Sequence, residues 1–478
     1  MKKTMHFLLV AVAIVFGMTS CDEFKSMMDN PVSSYLELKT ASVSIVPGGT
    51  YQIEASSIST AKITYESSNP DVAIVDPSGK VTALEDGEAT ITVRIEANDN
   101  YQAGATQFQV KVQSPLTLEA KADGKINVNY ENGITLDEPI VYTIFTKEGL
   151  KKTVSITETT AIEVDKGDKV QFMSKNDHLG TPNWKYVNIR PNMECAVYGN
   201  VMSLITPEGD FNTNKTIKKP NAFYDLFYSN VLSSTKDPVT GKWIYKYAIV
   251  NHDKYKLVLP ATTLSINCYS YMFYNSGLTE APELPATTLA NGCYVYMFNN
   301  CINLTVAPKL PATNLAPWCY QGMFAYTGIT EAPELKAEDL SKSDGCYYSM
   351  FEGCRELTKA PTELPAKKLS SQCYQNMFYG CSKLEVAPVL PAAELVSQCY
   401  CQMFYNCYKL KSLTCLATSM TSDNVTYYNA TFGWLRGAGV DVEGECTFTK
   451  AASATWLNTA DQWDYTSGWN VTSRWTIK

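Results

Sequence analysis

Histidine is nearly missing from this 478-residue chain: it has 3, and only His178 and His252 lie beyond the first twenty residues. That shortage removes most acid–base and metal-assisted arrangements from consideration. No Gly-rich phosphate loop, HExxH or GxSxG string occurs. No two cysteines stand in Cys-x2-Cys spacing. A basic excess is lacking as well, since 40 Lys and Arg face 48 Asp and Glu. Nucleic acid therefore has no electrostatic hold on the chain. After the first twenty residues no apolar run approaches 18, so nothing there reads as a membrane span. Glu280/Glu283 and Glu331/Glu334 could suggest paired carboxylates for glycoside hydrolysis. The equivalent positions hold Val306/Lys309 and Val386/Val389, which reads as solvated surface. The sequence predicts neither an enzyme nor a cofactor.

What is present is repetition. A stretch of about 26 residues recurs six times between Leu259 and Cys407, with leading cysteines Cys268, Cys293, Cys319, Cys346, Cys373 and Cys399. Such a unit cannot bury its own apolar face, so neighbouring units stack and share a core. A worn first copy, "NAFYDLFYSN" from Asn221, places Ala222 at the cysteine position and Leu226-Phe227 for Met-Phe. The insert after it carries a Thr240-Gly241 turn and reads as a β-hairpin. "CLATSM" (Cys415 to Met420) is a worn "LPATxL", and a Trp-rich tail follows as a terminal cap.

Within the copy from Leu364, Leu369, Cys373 and Met377 fall four apart, as do Tyr374 and Phe378. That spacing predicts a short helix or helical turns leaving at Gly380. "SKLEVAP" then supplies a short strand, one per unit, in a parallel sheet. "CYxxMFxxCxxLxxAPxLPA" resembles the BspA-like leucine-rich repeat of bacterial surface proteins. Met-Phe stands where many such repeats have Ala-Phe. The resemblance implies adhesion to host extracellular-matrix or cell-surface proteins, or to other bacterial surface proteins.

The leader carries an address. Met1-Lys2-Lys3, an apolar run to Met18, and Thr19-Ser20-Cys21 resemble a bacterial lipoprotein signal peptide. The resemblance implies cleavage before Cys21 and acylation of that cysteine, which anchors the chain. An ordinary secretory signal with a chance cysteine is the rival reading. Asp22 and Glu23 resemble the acidic export signal of Bacteroidetes surface lipoproteins, implying outer-membrane attachment facing outward. Cleavage leaves 38 basic against 48 acidic residues, a balance of −10.

Between leader and repeats the chain alternates as β-strand does. "SVSIVPG", "TYQIEA", "DVAIVD" and "ATITVRI" are bounded by Gly, Pro, Asn or Asp. Val72, Ile74, Val81, Ile91 and Val93 are the expected core, with turns at Asn69-Pro70 and Ser78-Gly79. "YESSNPDVAIVDPSGKVTALEDGEATITV" resembles the group 2 bacterial immunoglobulin-like domain, with Tyr65 at its usual Trp position. A second block alternates around Asp123-Gly124, Asn132-Gly133 and Lys166-Gly167-Asp168.

The expected architecture is multidomain and mainly β: an immunoglobulin-like sandwich, a second β-sandwich-like domain, then an α/β leucine-rich repeat solenoid with terminal caps. Its boundaries are signal peptide 1–20, tether 21–34, sandwich 35–113, second sandwich 114–205, solenoid 206–447 and cap 448–478.

Candidate ligand contacts are the strand positions that vary between units and alternate outward: Thr279, Thr305, Thr330, Thr358, Glu385 and Lys411. The cysteines, with second copies at Cys301, Cys354, Cys381 and Cys407, read first as a buried packing ladder. Disulfides and a metal site are the alternatives. Ser276 and Thr327 at the second position argue against an obligatory bridge. The row Tyr269, Tyr294, Tyr320, Tyr347, Tyr374 and Tyr400 is expected to pack with its hydroxyls reaching solvent, sugar stacking being the other reading. Asn98-Asp99-Asn100 could ligate calcium but reads as an ordinary loop. The favoured function is a surface-anchored adhesion lipoprotein. Its rival is a glycan-capture lipoprotein serving a polysaccharide uptake system.

Overall fold

A computed structural model describes residues 32–208, 210–228, 231–241, 243–420, 430–454 and 475–478. The chain divides into two compact units, Met1–Ser114 and Pro115–Lys478. The first is a sandwich. One sheet orders Ser42–Ile45, Gly104–Val112, Gly87–Ile95 and Ile63–Ser67; the other orders Thr50–Gln52, Lys80–Ala83 and Ala73–Val75. Val72, Val81, Ile91 and Val93 are buried, but Ile74 is exposed and Ala73 takes the inward position. The cause is local. The turn at Asn69 receives the N–H groups of both Val72 and Ala73, which shifts the alternation by one residue. Gly79 sits at φ +83 with the Tyr65 ring over it, so a Cβ there would lie 2.7 Å from the ring. The expected tether ends earlier than residue 34: Val32 bridges to Tyr101 and Ser34 is buried.

In the second unit one core cluster runs from Leu116 to Trp475 without a break. The strand Cys195–Asn200 explains the continuity. It pairs antiparallel with Leu116–Ala120, and in parallel with Ile249–Asn251 and Leu257–Val258. Leu179 and Ile189 donate backbone N–H groups to the carbonyls of Ala222 and Leu226, closing the end of the stack at its worn first copy. The hairpin in the insert forms from Val231–Lys236 and Trp243–Tyr247.

The repeats correct the α/β expectation. Among the described residues the only helical element is the 3-10 turn Val201–Leu204. The four-residue spacing is real, but it belongs to a ribbon of turns. Gln372, Asn376 and Gly380 take φ of +59°, +57° and +71°. A left-handed residue every fourth position cannot occur in an α-helix. Cys373, Gln375, Met377, Tyr379 and Cys381 donate within the copy, each to the residue three before it. Gln372, Tyr374, Asn376, Phe378 and Gly380 donate to Ser397, Cys399, Cys401, Met403 and Tyr405 of the next copy, at 2.7–3.1 Å. Alternate donors thus serve the turn and the neighbour, and none of these is left without an acceptor.

The strand side is thin for a complementary reason. Pro282, Pro285, Pro308, Pro311, Pro361, Pro365, Pro388 and Pro391 remove donors from each "APxLPA" segment. What survives in most copies is single bridges such as Glu280↔Val306, Glu331↔Lys359 and Val386↔Ser412. Longer parallel pairing returns at the C-terminal end, where Ser412–Cys415, Cys446–Lys450 and Trp475–Ile477 form a sheet. Residues 430–437 make a further turn ribbon. Ala430, Phe432, Trp434 and Arg436 accept from Tyr400, Gln402, Phe404 and Asn406, and Gly433 and Gly437 are left-handed.

Candidate ligand-binding surface

The strand row Thr279, Thr305, Thr330, Thr358, Glu385 and Lys411 is exposed, while Leu278, Leu304, Ile329, Leu357, Leu384 and Leu410 beside it are fully buried. Some of its polar groups are engaged within the row or with Asn251 beside it. Glu385 and Lys411 pair at 2.8 Å, Thr358 Oγ1 donates to the Thr330 carbonyl, and Thr279 Oγ1 lies 3.1 Å from Asn251 Oδ1. The flanking charges behave alike: Glu280 meets Lys256 and Glu331 meets Lys359.

The tyrosine row departs from expectation. Tyr269, Tyr294, Tyr320, Tyr347, Tyr374 and Tyr400 are 1–2 % exposed, and the hydroxyls of Tyr269 and Tyr374 are buried without a partner among the described residues. They cannot touch a sugar. Instead they stack ring on ring from Phe223 to Trp434, with neighbouring centroids 5.4–6.3 Å apart. A parallel stack runs from Phe227 to Phe404. The fourteen cysteines from Cys195 to Cys446 are buried free thiols. Cys301, Cys354, Cys381 and Cys407 donate S–H to Phe273, Phe324, Phe351 and Phe378 of the preceding copy at 3.0–3.1 Å. Burial pushes the Cys301 and Cys354 thiols up to about 11, so they stay protonated and unreactive.

A second surface, not singled out by the repeat pattern, also presents chemistry. Three and seven residues after each leading cysteine lie left-handed positions, holding Tyr271 and Asn275, Tyr296 and Asn300, Gly322 and Tyr326, Ser349 and Gly353 in successive copies. Where the next copy has glycine at a left-handed position, the aromatic of the preceding copy lies over it. Tyr296 covers Gly322, Trp318 covers Gly345, and Tyr326 covers Gly353, where a Cβ would fall 2.2–2.4 Å from the ring. Two shallow depressions result. One, of about 470 Å³, is lined by Tyr271, Tyr274, Tyr296, Asn299, Asn300 and Tyr326. The other, of about 480 Å³, runs from Tyr326 over Gly353 and Gly380 to Tyr408, with Arg355, Lys383 and Lys409 on its lining. Tyr326 lines both, so the depressions are neighbours along the stack and together make up the trough.

The trough is polar at its edges. Asn300 Nδ2 donates to the Tyr274 hydroxyl at 3.1 Å, and the Tyr326 hydroxyl donates to Glu352 at 2.7 Å. Burial, then the Glu352 carboxylate, pushes the Tyr326 phenol up to about 12. Tyr379 and Tyr405 stack at 4.7 Å. The signal that could have found this surface is the four-residue recurrence of Asn, Gly and Tyr, since Asn and Gly tolerate positive φ best.

Residues 35–106 match the bacterial Ig-like domain (group 2) family. The match covers most of the N-terminal sandwich. In this Ig-like domain Asn98 Oδ1 accepts from Asn100 and Tyr101 and its amide donates to Ser59, so the expected loop is a self-bonded turn. No curated protein matches the chain. Cys21, the signal peptide and the acidic pair after it lie outside the described residues. Among the described residues no cluster of His, Cys, Asp or Glu could hold a metal, and no helix is long and apolar enough to cross a membrane.

Proposed function

We propose that this chain is a surface-anchored binding protein without catalytic activity, acting in adhesion. The observation that carries the reading is the open trough, which spans successive repeats and presents tyrosine, asparagine and arginine side chains. Such a surface suits holding an extended partner through many small contacts, not enclosing a reactant. The leader's resemblance to a lipoprotein signal implies an acyl anchor at Cys21 in the outer membrane of a Bacteroidetes-type bacterium. The Ig-like domain acts in this reading as a spacer. The repeats are a divergent, helix-free version of the BspA-like leucine-rich repeat. Partners are host matrix or cell-surface proteins, or surface components of other bacteria. A second reading, glycan capture for a neighbouring uptake system, is favoured by the tyrosine lining.

The test is a binding screen of residues 115–478 and residues 32–114 against matrix proteins, bacterial surface fractions and polysaccharides. Saturable binding by residues 115–478, weakened by Tyr326→Ala and unaffected by Thr330→Ala, supports the trough as the adhesive surface. Binding by residues 32–114 alone would overturn it.

A further inference from the structure

Resting on the reading of the trough as the binding surface, we infer that its ligand is an extended polysaccharide strand whose sugars carry carboxylate or sulfate groups. Three features of the trough select this chemistry. The first is the kind of aromatic surface. Tyr326 is 42 % exposed, and Tyr271, Tyr274, Tyr296, Tyr379 and Tyr405 are half-buried, so phenol faces and edges meet solvent while their bases are fixed. The negative face of a phenol attracts the polarised C–H groups of a pyranose, and its hydroxyl bonds to the sugar's own. Asn299, Asn300 and Asn406 place amides along the same lining.

The second feature is the floor. Gly353 and Gly380 lie side by side, with the nearest atom to a Cβ on Gly380 being the Gly353 backbone at 3.8 Å. The result is a shallow slot whose floor is bare backbone at Gly380 and is covered at Gly353 by the Tyr326 ring. An amphipathic helix needs deep apolar pockets for its anchors, which this slot lacks. A peptide strand needs unpaired backbone groups, yet Gly353 and Gly380 N–H already bond to Tyr379 and Tyr405.

The third feature is charge. The chain as a whole is −8; the second depression carries Arg355, Lys383 and Lys409, with Asp441 on the same lining and Glu352 bonded to the Tyr326 hydroxyl. Lys383 is engaged by Glu356 at 2.5 Å, whereas Arg355 and Lys409 have no carboxylate within ion-pair distance among the described residues. Arg355 and Lys409, the cations of this slot outside ion pairs, are the groups that complement a chain of acidic sugars.

The experiment is calorimetric titration of the full chain with an oligogalacturonate, a carrageenan oligosaccharide that carries sulfate but no carboxylate, and a neutral cello-oligosaccharide, at low and high salt. The proposal expects one or both acidic chains to bind, weakening with salt, and the neutral chain to bind less. The two acidic arms separate carboxylate from sulfate recognition. Tyr326→Ala, at an exposed ring and with an unchanged melting temperature, is expected to weaken binding about tenfold. Arg355→Ala with Lys409→Ala is expected to bring the acidic chain down to the neutral one and flatten the salt dependence. Equal affinity for the neutral chain, or indifference to both variants, would overturn the proposal. Binding of matrix protein with no polysaccharide binding would overturn it too, while leaving the adhesive reading standing.

Discussion

Eighteen left-handed positions recur through the six copies, three to each, from Asn267 to Asn406. Thirteen of them carry side chains, each costing about 1–2 kcal/mol relative to glycine. None is β-branched, as steric reasoning requires. Ser349 is the sharpest case, at φ +52° and with its hydroxyl buried and without a partner among the described residues. Ser349→Gly removes both penalties and is expected to raise unfolding free energy by about 1–2 kcal/mol in a denaturant titration, whereas Ser349→Val lowers it. A second residue-scale effect concerns Asp225, left-handed at φ +62° and paired with Arg190 at 3.2 Å. Burial raises its carboxyl to about 6, against the hydrogen bond from Tyr186 and the charge of Arg190, with Glu131 adding to the rise. A value raised on folding means the folded state holds the proton more tightly. Its stabilising contribution is therefore full below the ordinary carboxylate range and is lost as pH rises towards and through about 6. Thermal melts from pH 4 to 7 should show that decline, and Asp225→Asn should flatten it.

At the scale of the element, the cysteine ladder stabilises the stack without redox chemistry. Each second thiol donates an S–H hydrogen bond to the phenylalanine carbonyl of the copy before it, as in Cys354 to Phe324. Thr327 instead donates to Phe324 at 2.8 Å within its own copy, which shows why small hydroxyl residues are tolerated there. Cys354→Ser is expected to cost less than about 1 kcal/mol, and Cys354→Leu about 1–3 kcal/mol through overpacking. A thiol-titration reagent should react slowly with the native chain and with all these cysteines after denaturation, and reductant should leave the melting temperature unchanged. An early dependence of stability on reductant would point to bridges and remove the ladder account.

For the whole molecule, two separate cores predict two unfolding events. The Ig-like domain closes its own cluster around Ile91, Val93 and Phe108. The second sandwich and the repeats share the other cluster, so residues 115–205 are a structural end-piece of the stack. Calorimetry of the full chain should show two transitions. Val93→Ala should move only one of them, by about 1–3 kcal/mol in stability. Deleting residues 115–205 should abolish cooperative unfolding of the repeats, because Ala222 and Leu226 lose their capping donors. Retention of a sharp repeat transition in that deletion would show that the sandwich is dispensable.

The sequence by itself determined which residues are buried and how the copies are aligned. Cys373, Met377, Tyr374 and Phe378 go inward as their spacing demands, and Leu278 to Leu410 alternate with an exposed row. It also determined the mainly β character and the turns at Asn69, Gly79 and Gly167. Only the tertiary structure decided the backbone path between Cys373 and Cys381. Over so few turns, 3.6 and four residues per turn give the same inward faces. What separates them is the hydrogen bond from one copy to the next, which no single copy contains. The trough has the same origin: Tyr326, Gly353 and Gly380 are 27 residues apart in sequence and adjacent in space. The exposed surface is built from the differences between copies, and those acquire meaning only when the copies are laid side by side.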